Sequence, residues 1–390
     1  MERTLFFLIG CLVLSSFSTT LLIDRMGFPI AMPELLLIPF LVPLRKYSFI
    51  KLPKSDLWSV VIFVWFLLLA IALLVANFSV FQILSFSRGF FYLFFFYVLF
   101  LKKADLTLDK VMWLSLGSLF GWSLSSFLNL GTHIDQLNGE EVLSYGALLA
   151  IPLFLSISLI RKKYALLFVG IILMVSVSLT AGLRRQILVV LVTFILSFAL
   201  KIMKSPKTLG VFAAFIATLG LIFYFNFGTI NSYLARNAPM IHNRVIVKTA
   251  RSIEGGRTSG DNIRRSNFNV LYEDFEEYIL PRGYPSKQTS KNSTIPIGRF
   301  IDFPLLLLAY IFGLPITLIL VVNFSKKALT VLIYYFKYNS DGAFVFFICY
   351  SIMFLLCFLE GTFLTFIYAI PFTSYCLSRL SFYSKRINNE

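Results

Sequence analysis

The chain has 390 residues, of which 58% are hydrophobic and 14% are charged. An ordinary soluble domain carries roughly 25% charged residues, so this composition excludes a conventional water-soluble fold and indicates a protein that uses the lipid bilayer as its solvent. The net charge of +16 does not indicate nucleic-acid binding, because Lys and Arg lie between apolar runs, where they orient helices and contact anionic headgroups.

Runs of roughly 20 apolar residues are long enough to cross a membrane, and the chain contains about twelve of them. We therefore predict an all-α, polytopic membrane protein, a single transmembrane domain over residues 1–390. The first run follows Glu2 and Arg3 but lacks a small-residue cleavage site, so we interpret it as a retained helix. The predicted spans are 5–23, 27–44, 57–76, 86–101, 111–130, 141–160, 164–180, 186–203, 208–226, 303–323, 342–361 and 363–379.

The short connections predict the orientation, because Lys and Arg accumulate in cytoplasmic loops. Both termini are then expected in the cytoplasm, and the long interval 227–302 is expected on the outer side. Within this loop we predict helices over 233–252 and 259–279, the second capped by Ser259. The basic connections alternate along the chain and are 45–54, 102–110, 161–163, 201–207, 326–337 and 379–386.

Several arginines map to the expected outer side, where hydropathy gives them no role. Arg184 and Arg185 stand between two apolar runs, and they predict either a phosphate clamp or a pair of interfacial anchors. Arg88 opens the fourth span, where a structural ion pair and a substrate contact are both open. Gly117 and Gly121 form a GxxxG pattern in the fifth span, which predicts close helix packing.

Glycines flank two more arginines in the outer loop. Arg257 lies within Gly255 to Gly260, just before the second predicted loop helix, and glycines there let the backbone approach an anion. Arg282 lies in the segment Pro281-Arg282-Gly283-Tyr284-Pro285, and the alternative for both arginines is a solvated hinge. The four cysteines fall inside apolar runs without metal-ligand spacing, and two isolated histidines do not form a site, so no metal or cofactor is expected.

This combination resembles the O-antigen polymerase (Wzy) and O-antigen ligase superfamily of bacterial envelope glycan assembly. The likeness lies in some twelve spans, a late outer loop, an arginine before span eight and a Gly-Arg element in the loop. Gly256-Arg257 through Tyr284 is similar to the family's Gly-Arg, helix, Pro/Gly-rich pattern, and Ile301-Asp302-Phe303 through Phe312-Gly313 to its Asp-apolar-Gly pattern. Leu183 and Arg185 depart from the family's residues around this arginine, so which arginine is functional stays open.

The resemblance implies an enzyme of the bacterial cytoplasmic membrane that transfers a glycan from undecaprenyl pyrophosphate to the non-reducing end of another lipid-linked repeat unit. It implies a metal-independent reaction, and it implies membrane lipids, a chain-length regulator and a flippase as partners. Arg184 or Arg185 with Arg257 is expected to bind the pyrophosphate. Further candidates for substrate contact are Arg88, Arg244, Arg282 and Tyr284. Candidate bases for the acceptor hydroxyl are Glu34, Asp302, Glu360 and His242.

Three alternatives remain open from the sequence. An O-antigen ligase is the nearest, although the chain lacks the late loop histidine associated with ligases, since none follows His242. A polyprenyl-phosphate glycosyltransferase is expected to carry an acidic motif in its first outer loop, where this chain offers only Asp24. A lipid-linked oligosaccharide flippase or permease is expected to show internal repeats and polar residues at mid-membrane, and neither is evident.

Overall fold

The computed structural model describes residues 2–13, 89, 92–101, 106–127, 139–180, 184–202, 218, 226, 229, 232, 236, 279–281, 304–359 and 369–389. Within these ranges the secondary structure is helical and contains no β-strand, so the all-α prediction is confirmed for this part of the chain. The predicted spans 27–44 and 57–76 lie outside the described residues. So do most of span 208–226 and nearly all of the loop 227–302 with its two predicted helices.

The helices, numbered in chain order, agree closely with five predicted spans. Spans 111–130, 141–160, 164–180, 186–203 and 342–361 correspond to α3, α4, α5, α6 and α9, with ends that differ by at most three residues. The bounds are α1 Glu2–Val13, α2 Tyr92–Leu101, α3 Leu108–Phe127, α4 Gly139–Ile160, α5 Tyr164–Thr180, α6 Arg184–Ile202, α7 Pro304–Phe312, α8 Leu314–Tyr338, α9 Asp341–Leu359 and α10 Ile370–Asn389.

Among the described residues, α8 is the one helix that is long and apolar enough to cross a membrane by length and composition. Five shorter apolar helical segments of 10–17 residues accompany it, within α2, α4, α5, α6 and α9. The number of twelve spans therefore remains a prediction from the sequence.

Helix α4 occupies the centre of the described bundle. It contacts α3, α5, α6, α9 and α10, and every side chain from Leu148 to Leu159 is buried. A helix that is apolar on all sides is stable only when neighbours or lipid surround it. Ser156 donates its hydroxyl to the carbonyl of Pro152 within the helix, which satisfies that polar group in the apolar interior.

Helices α1 and α3 approach each other backbone to backbone at the GxxxG pattern. A Cβ atom on Gly117 would overlap the carbonyl of Phe7, and a Cβ atom on Gly121 would overlap the carbonyl of Cys11. Only hydrogen in place of a side chain permits this distance. The prediction that Gly117 and Gly121 serve helix packing is confirmed.

Helices α8 and α9 form an antiparallel hairpin. The connection turns at Asn339, which adopts a left-handed conformation with φ 50° and donates its backbone N–H to the Tyr335 carbonyl at 2.7 Å. Further along the hairpin, the hydroxyls of Ser325 and Tyr350 lie 2.8 Å apart. Asparagine is one of the few non-glycine residues that tolerates the left-handed conformation, which explains why the long helix ends there.

The predicted bounds of the tenth span, 303–323, are wrong in two ways. The segment breaks at Gly313 into the short α7 and the long α8, and α8 then continues through Lys326, Lys327 and Lys337, which were assigned to a connection. The helix continues because Lys327 is buried and hydrogen-bonded, as described below, and because the following residues pack into the interior. Lys326 and Lys327 predicted the end of a helix, whereas Lys327 makes a polar contact inside the bundle and α8 continues past it.

The last helix also extends beyond its predicted end at residue 379. Leu380 and Ser381 are fully buried, and the ring of Tyr383 lies 5.8 Å from that of Phe346 on α9. A Cβ atom on Gly342, the second residue of α9, would overlap the Tyr383 hydroxyl. Interior packing therefore stabilises α10 past the point where its hydropathy falls.

Ion pairs tie four elements together at one end of the bundle, which we call the charged end. Arg161, just after α4, reaches Asp109 of α3 at 3.4 Å and Asp341 of α9 at 3.7 Å, and Lys163 reaches Asp109 at 3.9 Å. Lys110 pairs with Glu2 of α1 at 3.2 Å. The charged end therefore comprises Glu2, Asp109, Lys110, Arg161, Lys163 and Asp341.

Candidate functional site

Several helices carry predicted site residues or adjoin them in the sequence. Each of these helices starts or ends at the end of the bundle opposite the charged end. We call this opposite end, marked by Arg184, Gly313 and Leu359, the far end. Lys201 near the end of α6 donates to the Leu159 carbonyl at 3.4 Å, which places that end of α6 beside Arg161 and the charged end. Because α6 has 19 residues and rises 1.5 Å per residue, its first residue, Arg184, lies about 28 Å away.

The hairpin of α8 and α9 has its open side at the far end. Tyr335 donates its hydroxyl to the Leu200 carbonyl at 3.0 Å, so α8 ends beside the end of α6. The start of α8 at Gly313 and the end of α9 at Leu359 therefore lie at the far end, since α9 begins with Asp341 of the charged end. Glu360 follows Leu359 directly in the sequence.

Helix α2 runs parallel to α10, which gives its direction. Ser374 donates to the Leu93 carbonyl at 2.9 Å, and the hydroxyls of Ser381 and Tyr97 lie 2.9 Å apart. Since α10 reaches the charged end at its later residues, the start of α2 points to the far end. Gly89, which follows Arg88 in the sequence, is buried and helical ahead of this start.

Gly313 lies at the break between α7 and α8 and packs against residues 279–281 of the interval 227–302. It adopts φ 82° between α7 and α8, and a Cβ atom there would lie 3.1 Å from the Ile279 carbonyl and 3.1 Å from Cδ of Pro281. The Gly313 carbonyl accepts the backbone N–H of Thr317 at 3.2 Å and its hydroxyl at 3.0 Å. The structure thus brings the last described residues of the interval 227–302 against the helix break, and Arg282 follows Pro281 in the sequence.

Arg184 and Arg185 form the first turn of α6, and the helix backbone is the part of them that the structure describes. Gln186, the next residue, is buried with 2% of its surface exposed. Gln186 therefore packs into the bundle, whereas Leu188 on the same turn is 39% exposed. The other predicted site residues lie outside the described residues; they are Glu34, Arg88, His242, Arg244, Arg257, Arg282, Tyr284, Asp302 and Glu360. Among the residues that the structure describes, no group of three or more His, Cys, Asp or Glu forms a metal site.

Sequence reasoning missed a buried polar cluster where α2, α8 and α10 meet, which we call the polar seam, formed by Tyr97, Lys327 and Ser381. The Lys327 ammonium donates to the Ser381 hydroxyl at 2.9 Å, and the Tyr97 hydroxyl completes the chain. Lys327 is 8% exposed, whereas its neighbour Lys326 is exposed. The available signal was helical continuity through Lys326 and Lys327, which a span predicted to end at residue 323 concealed.

Comparison with known proteins found no matching family model, and no curated protein or solved structure matches significantly.

Proposed function

We propose that the chain is a polymerase of surface polysaccharide repeat units in a bacterial cytoplasmic membrane. It transfers a glycan from an undecaprenyl-pyrophosphate donor to the non-reducing end of a second lipid-linked repeat unit. The motif resemblance supplies the reaction class. The observation that carries the proposal further is that the starts of α2, α6 and α8 and the end of α9 share the far end. The first three adjoin predicted phosphate-binding arginines in the sequence or through the Gly313 contact, and the end of α9 adjoins the candidate base Glu360.

The surface of the described helices supports a lipid environment. On α5, Phe168 is 65% exposed, and on α8 Val322 is 62% and Ile333 60% exposed, while the interior around α4 is equally apolar. Apolar surface in water costs roughly 25 cal/mol per Å², so helices that are apolar both inside and outside are suited to a bilayer. The ion pairs found among the described residues lie instead at the charged end, as expected at a membrane boundary.

The distribution of charge between the two ends favours an anion site at the far end. At the charged end Arg161, Lys163 and Lys110 are paired with carboxylates. Arg184 and Arg185 begin a helix at the far end, and Arg282 follows the Pro281 contact with Gly313 in the sequence. Guanidinium groups match phosphate oxygens in a two-pronged geometry and stay charged at every relevant pH.

The reaction needs positioning more than covalent chemistry. The acceptor hydroxyl attacks the anomeric carbon of the donor while the bond from that carbon to the diphosphate oxygen breaks. A carboxylate or His242 takes the hydroxyl proton, and the lipid diphosphate leaves with the bonding electrons. Arginines that bind the departing diphosphate stabilise the charge that grows on it and hold the two lipids in line.

The decisive experiment replaces Arg257 by alanine in cells that depend on this chain for their polymer. We expect loss of long glycan chains and accumulation of single repeat units, because charge on the leaving diphosphate is no longer stabilised. The control is Arg236→Ala, since Arg236 is an exposed arginine of the same interval and is expected to leave chain length unchanged. Membrane levels of both variants are measured by immunoblot.

Two results would contradict the proposal. An unchanged chain-length distribution in Arg257→Ala would remove that arginine from the pyrophosphate site. Complete absence of glycan on the lipid core after loss of the chain, in place of a single repeat unit, would identify a ligase.

A further inference from the structure

The polar seam is a cationic group enclosed by hydroxyls in an otherwise apolar junction. Around it, Phe96, Leu99 and Phe100 of α2 are buried, as are Ala328 and Val331 of α8. The Lys327 ammonium also lies 4.9 Å from the centre of the Phe324 ring. Charged groups inside membrane bundles are unfavourable and mark binding or transport sites more often than structural ones.

The face of α10 that borders the seam is lined with further polar groups. Ser374, Ser378, Ser381 and Lys385 recur at spacings of three and four residues, which places them on one side of a helix. Ser374 bonds to α2, so this side faces the α2 junction. Lys385, one turn beyond Ser381, is partly exposed and brings a second ammonium to the same row.

A third cation, Arg379, lies on a different side of α10, because its position two residues before Ser381 corresponds to a rotation of roughly 200° about the helix. Arg379 is 6% exposed, and its guanidinium lies 5.5 Å from the centre of the Tyr375 ring and 5.7 Å from that of Phe382. Aromatic faces hold a guanidinium in place by cation–π attraction. Arg379 is therefore held by its aromatic neighbours, and the described cations on the Ser381 side of α10 are Lys327 and Lys385.

The seam lies close to the charged end. Ser381 precedes Tyr383 by two residues, and the Tyr383 hydroxyl contacts Gly342 at the start of α9. Along α10 the two residues from Ser381 to Tyr383 span about 3 Å, so the seam lies near the level at which α10 contacts the start of α9. Lysine side chains and lipid headgroups meet near such a charged boundary of a membrane bundle.

We propose that the polar seam binds the phosphate group of an anionic phospholipid between α2, α8 and α10. The Lys327 ammonium and the Ser381 and Tyr97 hydroxyls are linked in one hydrogen-bonded chain. Such donors suit phosphate oxygens, and basic pockets between membrane helices bind lipid headgroups. The inference rests on the membrane embedding in the proposed function but not on the polymerase reaction. The polar seam lies near the charged end, whereas the arginines proposed to bind pyrophosphate belong to the far end.

The test measures thermal unfolding of the purified full chain in detergent with added phosphatidylglycerol, phosphatidylcholine or inorganic phosphate. We expect phosphatidylglycerol to raise the melting temperature of the wild-type chain and of Lys326→Met, and to have no such effect on Lys327→Met. Lys326 is the matched control, because it is the adjacent lysine on the same helix and is exposed. Native mass spectrometry of lipid retained by each variant provides a second readout.

Two variants that perturb the polar seam less are used if Lys327→Met does not fold. Lys327→Arg is expected to retain the phosphatidylglycerol effect, and Ser381→Ala to weaken it. A rise with inorganic phosphate that also requires Lys327 supports the phosphate site and identifies a soluble ligand as its source.

The proposal is overturned if Lys327→Met responds to phosphatidylglycerol as the wild type does. It is equally overturned if Lys326→Met loses the effect to the same extent, or if phosphatidylcholine alone reproduces it. None of these measurements needs a glycan donor, so a failure of the polymerase proposal leaves their outcome unchanged.

Discussion

At the scale of single residues, glycines set how closely helices approach. Gly117 and Gly121 of α3 lie against the backbone of α1, and their spacing in the sequence predicted this contact. The burial of Lys327, in contrast, was not predicted from the sequence. Nothing in its neighbourhood along the chain distinguishes it from Lys326, yet one lysine is buried against Ser381 and the other is exposed.

Gly117→Ala tests the backbone contact between α1 and α3. The new methyl group would overlap the carbonyl of Phe7, and overpacking of this kind costs typically 1–3 kcal/mol. We expect a lower melting temperature in detergent. Leu124→Ala on the same helix removes an exposed side chain and is expected to change the melting temperature little; equal stability of the two variants would show that the close approach contributes nothing.

At the scale of elements, helix ends follow backbone conformation as well as hydropathy. Span 164–180 was predicted with the bounds that α5 has, because uncharged apolar sequence fills it and basic residues flank both sides. The bounds of the tenth span were predicted wrongly. The left-handed backbone of Gly313 divides the predicted span into α7 and α8, and interior contacts extend α8 beyond the predicted end at residue 323.

Gly313→Ala tests the junction of α7, α8 and the segment that ends at Pro281. An alanine at φ 82° is strained by roughly 1–2 kcal/mol, and its Cβ would also press on Ile279 and Pro281. We expect a lower melting temperature together with shorter glycan chains, because the segment before Arg282 is displaced.

The control for this junction is Asn339→Gly. Asn339 is also left-handed, with φ 50°, so glycine there relieves strain and is expected to preserve stability and chain length. If Gly313→Ala left both the melting temperature and the chain length unaltered, the contact with Pro281 would have no part in the reaction.

At the scale of the whole molecule, the described helices run between two chemically different ends. The charged end holds the paired ions near Arg161, and the far end holds the start of α6 and the helix break at Gly313. The alternation of basic connections along the sequence predicts that these ends face opposite sides of a membrane.

Single cysteines at the two ends test this arrangement. Lys162→Cys, beside the charged end, is expected to react with a membrane-impermeant maleimide only after cells are lysed. Arg184→Cys is expected to react in intact spheroplasts. The unmodified chain supplies the blank, since Cys349 and Cys376 are buried and Cys11 and Cys357 partly so; labelling of both new cysteines from one side would refute the predicted orientation and with it a shared outer site.

The composition and the lengths of the apolar runs were enough to predict an all-helical chain, the bounds of α5 and the tight contact at Gly117, because each follows from residues close together along the chain. The burial of Lys327, the extension of α8 past it and the contact of Pro281 with Gly313 required the folded molecule. Their partners are distant in sequence: Ser381 lies 54 residues from Lys327, and Tyr97 lies 284 residues from Ser381. Whether a lysine ends a helix or is buried within one depends on what packs against it, and packing brings together groups that local hydropathy cannot relate.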